Sequence, residues 1–449
     1  MPSGSTARYC SDMDGDAPRS WLDDVARRRP DATALVADGV AVTYAELAAA
    51  AVEGTGIDVV EPRLDIDSVV ALWSAWRGDG AALVVDPRDP GRVRALEPGA
   101  VPDGAHTLVP TSGSTGSARL AILTDGNVAA AVSASRDRLG NGPGDRWLLV
   151  LPLFHVGGLS ILWRSVAVGG TVVLHDRFDP ARVAAELRTV SFASLVPTML
   201  RRVLDADPGP YEGTRVLVGG AACPAPLVDR AFSAGLVPLP TYGSTEAASQ
   251  IATVAPERAW QDRRSVGRPL DGFDVRIDAP GGDVGEIVID GPGVFVGYLG
   301  EPPRMRPHRT ADLGRIDADG RLHVLGRVDD MIVSGGENVH PGRVEEVVAS
   351  HPDVAEVTVV GIPDPEWGAV VGAAVVAGDD LDERALTGWC RERLRPAEVP
   401  RRWMRLRAFP YLATGKIDRA AILRRFGDAG GSVPWHHGPA TGRGAERSI

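Results

Sequence analysis

The chain has 449 residues, 44% of them hydrophobic and 24% charged, which is the composition of a globular protein of roughly two to four domains. A net charge of −11 speaks against a general nucleic-acid or anionic-membrane binder, whose footprint is basic. Cys10, Cys223 and Cys390 have neither disulfide nor zinc spacing, and no apolar run reaches membrane-spanning length. The N-terminus, with Asp12, Asp14 and Asp16, lacks the pattern of a signal peptide, so a cytoplasmic protein without stable membrane insertion is expected.

Residues 1–18 are polar and expected to be disordered. A helix is expected from Trp21 to Arg29, then a hairpin of Ala34–Val36 and Val40–Val42 turning at Asp38-Gly39. Thr43 with Glu46 makes a capping box for the next helix. The pattern between Glu53 and Asp67 is irregular; Val69–Trp76 follows as a buried helix and Ala81–Val85 as a buried strand. Strands at Trp147–Leu151, Thr171–Leu174, Ala193–Val196, Arg215–Val218 and Leu236–Leu239 alternate with helices at Pro180–Leu187 and from Pro197. This alternation is the signature of an α/β fold with mostly parallel sheets, whose ligands bind beyond the carboxyl ends of the strands.

After about Gln261 short glycine-separated strands suggest a small β lobe: Asp274–Ile277, Gly285–Ile289 and Leu322–Leu325. Past Arg327 a compact α+β segment is expected, with helices near Gly342–Ser350 and at Asp382–Leu394 and strands at Val354–Gly361 and Ala369–Val376. Gly427–Ile449 lacks periodicity and reads as a disordered tail.

Between the apolar run Thr107–Pro110 and Leu120 lies Thr111-Ser-Gly-Ser-Thr-Gly-Ser-Ala-Arg119, where hydroxyls alternate with glycines. Its backbone N–H groups can form an anion-binding nest, with Arg119 adding a charge-assisted donor. Read alone, the run is equally a flexible linker. It lacks the Gly-Lys-Ser/Thr ending of a Walker A loop.

Four further runs accompany it: Leu151-Pro-Leu-Phe-His155-Val-Gly-Gly158, Tyr242-Gly-Ser-Thr-Glu246, Gly326-Arg-Val-Asp-Asp330 running on to Ser334-Gly-Gly-Glu-Asn338, and Thr414-Gly-Lys416-Ile-Asp-Arg419. In this order and spacing the five resemble the acyl-adenylate-forming superfamily, which includes acyl- and aryl-CoA ligases, luciferases and peptide-synthetase adenylation domains. The resemblance spans about Trp21 to Phe426. It implies that ATP and a carboxylic acid give an acyl-adenylate and pyrophosphate, after which a thiol, usually coenzyme A, displaces AMP. It also implies a large N-terminal domain, residues 19–328, and a small mobile C-terminal domain, residues 329–426, hinged at Asp329.

The resemblance further implies residue roles. Thr111, Ser112, Gly113, Ser114, Thr115, Gly116 and Arg119 would hold the β- and γ-phosphates, and Thr245 the α-phosphate. Glu246, with Thr115, would ligate Mg²⁺, since a single carboxylate with phosphate oxygens suits this hard, hydrated ion. Gly220, Ala221, Tyr242 and Gly243 would contact the nucleotide, with Asp312 and Arg327 at its ribose. Lys416 would stabilise charge as the carboxylate attacks the α-phosphate. His155, Gly157 and Ser249 would line the acyl pocket, His155 as its gate; Gly336 would line the coenzyme A tunnel. Trp367 packs against coenzyme A or is structural.

Within the superfamily, Thr245-Glu-Ala-Ala-Ser-Gln250 looks like the Thr-Glu-Thr-x-Ser-Gln run of o-succinylbenzoate–CoA ligases of menaquinone biosynthesis. Leu195–Leu200, Ser334–Asn338 and the short overall length are similar to the same group, although the Gly326 run also resembles halobenzoate- and fatty-acid–CoA ligases. A stand-alone adenylation enzyme loading a separate carrier protein and a catalytically dead nucleotide binder are the other readings. Departures from the family pattern are Ala118-Arg119-Leu120 in place of Pro-Lys-Gly, Ala311 in place of glycine, His308-Arg309 in place of an aromatic, and a shortened Glu53–Asp67. The sequence leaves oligomeric state open.

Overall fold

The computed structural model describes residues 17–88, 101–102, 104–111, 119–302, 307–378, 381–412 and 416–428. The two ends expected to be disordered fall largely outside these residues. Contacts divide the chain into a first unit, Met1–Val324 with Thr414–Lys416, and a second, Leu325–Ala413 with Ile417–Ile449.

The first unit is built on a nine-stranded sheet in the order Arg268–Pro269, Ser249–Thr253, Val237–Ser244, Arg215–Val218, Phe192–Leu195, Arg146–Leu149, Thr171–Leu174, Thr33–Ala37, Val40–Thr43. The strands from Val237–Ser244 to Thr33–Ala37 pair in parallel, and the flanking pairs are antiparallel. The central strands are apolar runs because helices cover a parallel sheet on both faces. A five-stranded sheet runs Gly297–Tyr298, Leu120–Thr124, Ala105–Pro110, Ala81–Val84, Ile57–Val60. One core joins both sheets: Val84 and Leu123 of the smaller and Trp147, Leu149 and Val172 of the larger gather around Leu159, Leu162 and Trp163. The expected β lobe is a four-stranded sheet of Asp274–Asp278, Gly285–Asp290, His308–Ile316 and Leu322–Arg327.

The capping box at Thr43 and the hairpin at Asp38-Gly39 form as the sequence dictates. Three elements differ from expectation. Ile57–Val60 is an edge strand inside the stretch that had no clear period. Val156–Val168 is a helix buried from Gly158 to Val168, so its apolar run wraps every face and leaves no amphipathic signal. The strand expected to end at Leu239 continues to Ser244, because its second half changes partner and pairs antiparallel with Ser249–Thr253.

His106, in the strand Ala105–Pro110, sits at the centre of this core, fully buried, stacked 5.2 Å from Trp76 and edge-on to Trp163. Burial pushes its imidazole down to about 3. The unfolded chain therefore takes up this proton near pH 6.5 while the folded one resists it. Stability is expected to fall as pH drops from 6.5 toward 3, at up to about 1.4 kcal/mol per pH unit for this residue. Urea unfolding midpoints between pH 7 and 4 measure the slope, and His106→Phe should flatten it.

The second unit is α+β. Its sheet runs Glu337–Val339, Ile332–Ser334, Gly368–Ala377, Val354–Asp364, with Arg402–Arg405 parallel to Gly368–Ala377. Pro341–Ala349 and Glu383–Arg391 pack on it through Val344, Val347, Leu386 and Cys390. Among the described residues no helix is long and apolar enough to cross a membrane.

Candidate functional site

The carboxyl ends of the parallel strands in the first unit bring most of the motif residues of that unit together. Arg215–Val218 runs into Gly219-Gly220, and Gly220 takes φ +79°, a conformation that favours glycine. A Cβ there would lie 3.3 Å from Val196 and 3.6 Å from Cε of Lys416, which groups with the first unit. Ala221 follows, exposed.

On the neighbouring strand, Tyr242 is buried and donates its hydroxyl to Asp312 at 2.7 Å. Burial first, and then the Asp312 charge, push the Tyr242 phenol well above its ordinary value, so it stays a donor. Gly243 sits at the irregularity where Val237–Ser244 crosses Ser249–Thr253; a Cβ there would fall 1.6 Å from the Ser249 carbonyl, so only glycine fits. The turn that follows carries Thr245 and Glu246 and closes through Ala248 at φ +49° and Ser249 at φ +116°. Beneath it, the buried Gln250 accepts from Ser135 at 2.6 Å and donates to Thr253 at 2.7 Å.

Ser112, Gly113, Ser114, Thr115 and Gly116 lie outside the described residues, but the base of their loop does not. The Thr111 N–H and hydroxyl both bond the Arg119 carbonyl, at 2.8 and 3.1 Å, which pinches the loop closed. The Arg119 guanidinium stacks 3.9 Å over Tyr298, whose hydroxyl donates to Glu246 at 2.7 Å. A cation–aromatic–carboxylate chain thus ties the loop to Glu246. Arg119 stands where a lysine is expected, and its planar guanidinium suits a ring face better than a compact ammonium would. The Ser244 hydroxyl beside this turn is buried without a partner among the described residues. No cluster of three or more His, Cys, Asp or Glu side chains among the described residues can hold a metal alone. A single carboxylate such as Glu246 suits a hard, hydrated cation where a bound ligand brings further oxygens.

Ala311 takes φ +58°, a conformation that favours glycine, at a bulge within the strand His308–Ile316. The bulge is held by Ala311 N–H to the Glu286 carboxylate at 3.0 Å and Asp312 N–H to the Thr310 hydroxyl at 3.1 Å. Ala311→Gly is expected to stabilise folding by about 0.5–1 kcal/mol and keep activity, as read by urea denaturation.

His155 is the N-cap of the buried helix Val156–Val168, with Gly157 in that helix's first turn. Burial, with the Lys416 cation adding, pushes its imidazole down to about 4, so it is neutral at pH 7. Arg88, held in a fork by Asp86 at 2.8 and 2.7 Å, lies 5.1 Å over Phe154, and Phe154 lies 4.6 Å from the His155 ring.

One residue escaped the sequence reading. Arg164, on the same helix, is 3% exposed, and no carboxylate of a described residue pairs with it. Its bonds go to the Ser160 carbonyl at 2.9 Å, the Ser160 hydroxyl at 2.7 Å and Ser249 Oγ at 3.5 Å, with the Trp147 ring 4.9 Å away. Burial pushes the guanidinium down to about 9, which leaves it cationic at neutral pH. An uncompensated buried charge is costly and calls for a partner. The signal in the sequence is a lone charge in thirteen otherwise uncharged residues.

In the second unit, Arg327 and Asp329 lie 3.9 Å apart. Gly336 occupies the turn between Ile332–Ser334 and Glu337–Val339. Trp367 accepts the Gly335 N–H on its carbonyl at 2.9 Å and carries Arg401 stacked 3.7 Å over its ring.

The chain matches the family model for AMP-binding enzymes over residues 62–299 and that for the AMP-binding enzyme C-terminal domain over 343–416. It is 40% identical over 333 residues to the 2-succinylbenzoate–CoA ligase of Bacillus licheniformis, covering 71% of this chain and 69% of that protein. Among solved structures it is similar to the o-succinylbenzoate CoA synthetase of Bacillus subtilis in complex with the acyl-adenylate intermediate OSB-AMP: TM-score 0.79, 30% identity, 90% of this chain and 98% of that one. The same Bacillus subtilis enzyme with ATP and magnesium ion gives a TM-score of 0.78 at 30% identity over 89% of this chain and 98% of that one. The first model alone spans more than half of the chain and the second falls, up to Ala413, on its α+β unit, so this chain belongs to the AMP-binding enzyme family.

Proposed function

We propose that the protein is an ATP-dependent acid–CoA ligase that acts through an acyl-adenylate, and that its acid is o-succinylbenzoate, an intermediate of menaquinone biosynthesis. ATP, Mg²⁺ and coenzyme A are its companions, and the cytoplasm its setting. The observation that carries the substrate assignment is Arg164: a buried cation with no acidic partner among the described residues, beside Ser249, suits an acid with a second carboxylate. The relatives named for the same acid support this reading.

In the first step the substrate carboxylate attacks the α-phosphate and pyrophosphate leaves; in the second the thiol of coenzyme A attacks the acyl carbon and AMP leaves. The loop from Thr111 to Arg119 would cradle the outer phosphates, Thr245 the α-phosphate, and Asp312 with Arg327 the ribose. Glu246, with Thr115 and the phosphate oxygens, would hold Mg²⁺, which neutralises phosphate charge when bound. Gly220, Ala221, Tyr242 and Gly243 would form the nucleotide wall, His155 with Gly157 the gate of the acyl pocket, and Gly336 with Trp367 the coenzyme A path. Asp329 would be the hinge at which residues 329–426 turn between steps.

Incubation with ATP, Mg²⁺, coenzyme A and o-succinylbenzoate, read by mass spectrometry, tests the reading. A CoA thioester and AMP are expected. Adenylate without thioester would point to a carrier-protein acceptor, and no pyrophosphate exchange across a panel of acids would overturn the enzyme reading.

A further inference from the structure

Arg419 ends the run that carries Lys416, yet nothing in the reaction above uses it. Its Nη1 donates to Asp330 Oδ2 at 2.8 Å and its Nη2 to Glu345 Oε1 at 2.7 Å. Glu345 is itself fixed, accepting the Val359 N–H at 2.9 Å and the Thr358 hydroxyl at 3.3 Å on the same oxygen. One guanidinium therefore joins the stretch after Arg327, the helix Pro341–Ala349 and the strand Val354–Asp364. The base of the Lys416 segment is anchored beside it. Tyr411 bridges to Ile417, the Asp418 N–H donates to Pro410 at 2.9 Å, and the Asp418 carboxylate takes the Ala421 N–H at 2.9 Å in the helix Arg419–Asp428.

We propose that Arg419 is a positioning residue: by tying Asp330 and Glu345 to the start of the helix Arg419–Asp428, it fixes the point from which the Lys416 segment departs. The proposal rests on the ligase reading, in which Lys416 serves adenylation alone. The half-exposed Arg419–Asp330 pair contributes little stability, so its effect is on geometry. Geometry is costly to lose, since a 1 Å misplacement of a reacting group slows a reaction about 100-fold.

The test uses the full chain and two readouts, ATP–pyrophosphate exchange and thioester formation from supplied acyl-adenylate. Arg419→Met is expected to slow exchange about 10-fold at unchanged KM for ATP, with thioester formation changed less than about 2-fold. Asp330→Asn should do the same, and the double variant should be no worse than either single one. Equal loss of both half-reactions, additive losses in the double variant, or no loss would overturn this role. Should Arg419→Met fail to fold, Asp330→Asn and Arg419→Lys carry the same comparison. Lys416→Ala in parallel keeps the two ideas apart: intact exchange there would sink the ligase reading of the lysine, whatever Arg419 does.

Discussion

Lys416→Ala is expected to slow pyrophosphate exchange by about 100- to 1000-fold while thioester formation from supplied acyl-adenylate survives. The side chain is exposed and its removal uncovers no core, so the thermal midpoint should stay within about 1 °C. What is lost is a cation whose stem would approach Gly220 to 3.6 Å of a Cβ and whose charge is felt at His155. Charge accumulates on the α-phosphate as the carboxylate attacks it, and a fixed ammonium is worth most where water is excluded. Lys416→Arg should recover only part of the rate, because a planar fork does not replace a point charge on a flexible stem. Equal loss of both half-reactions would refute a role confined to adenylation.

The parts of this site legible in the sequence are those whose chemistry is local. Tyr242-Gly243, Thr245-Glu246, Gly219-Gly220 and the Thr111–Arg119 loop announce themselves because turns and phosphate contacts demand glycine and hydroxyls at fixed offsets. The alternation of apolar strands and helices disclosed the parallel sheet for the same reason: its period is short-range. What stayed hidden depends on contacts between distant segments. The strand to Ser244 outruns its apolar pattern because Ser249–Thr253 pairs with its end. Ala311 reads as a harmless departure until its φ of +58° shows the strain. Arg119 reads as a weakened lysine until Tyr298, 179 positions later in the chain by number, supplies the ring it lies on. Arg164 is a lone charge in an uncharged run, but that its helix is buried on every face, leaving the charge without solvent, shows only in the fold.

Arg164→Met is expected to reduce kcat/KM for o-succinylbenzoate by about 100- to 1000-fold and to leave acids without the second carboxylate almost unaffected. The size follows from asymmetry. A substrate carboxylate brought into a buried pocket without its cation keeps its full desolvation cost, whereas an acid lacking that group gives up nothing when the guanidinium is gone. Methionine is similar in length and apolar, so the core around Trp147 and Ser160 remains filled. Folding should not suffer: removing a lone buried charge is neutral or stabilising, so the urea midpoint is expected to hold or rise. Arg164→Lys should fall between, keeping the charge but losing the two-pronged grip. The competing account is that Arg164 merely braces its helix through the Ser160 carbonyl. That account requires Arg164→Met to lower the midpoint and slow every acid alike, so the ratio of kcat/KM for the two acids, measured beside the urea curve, decides between them.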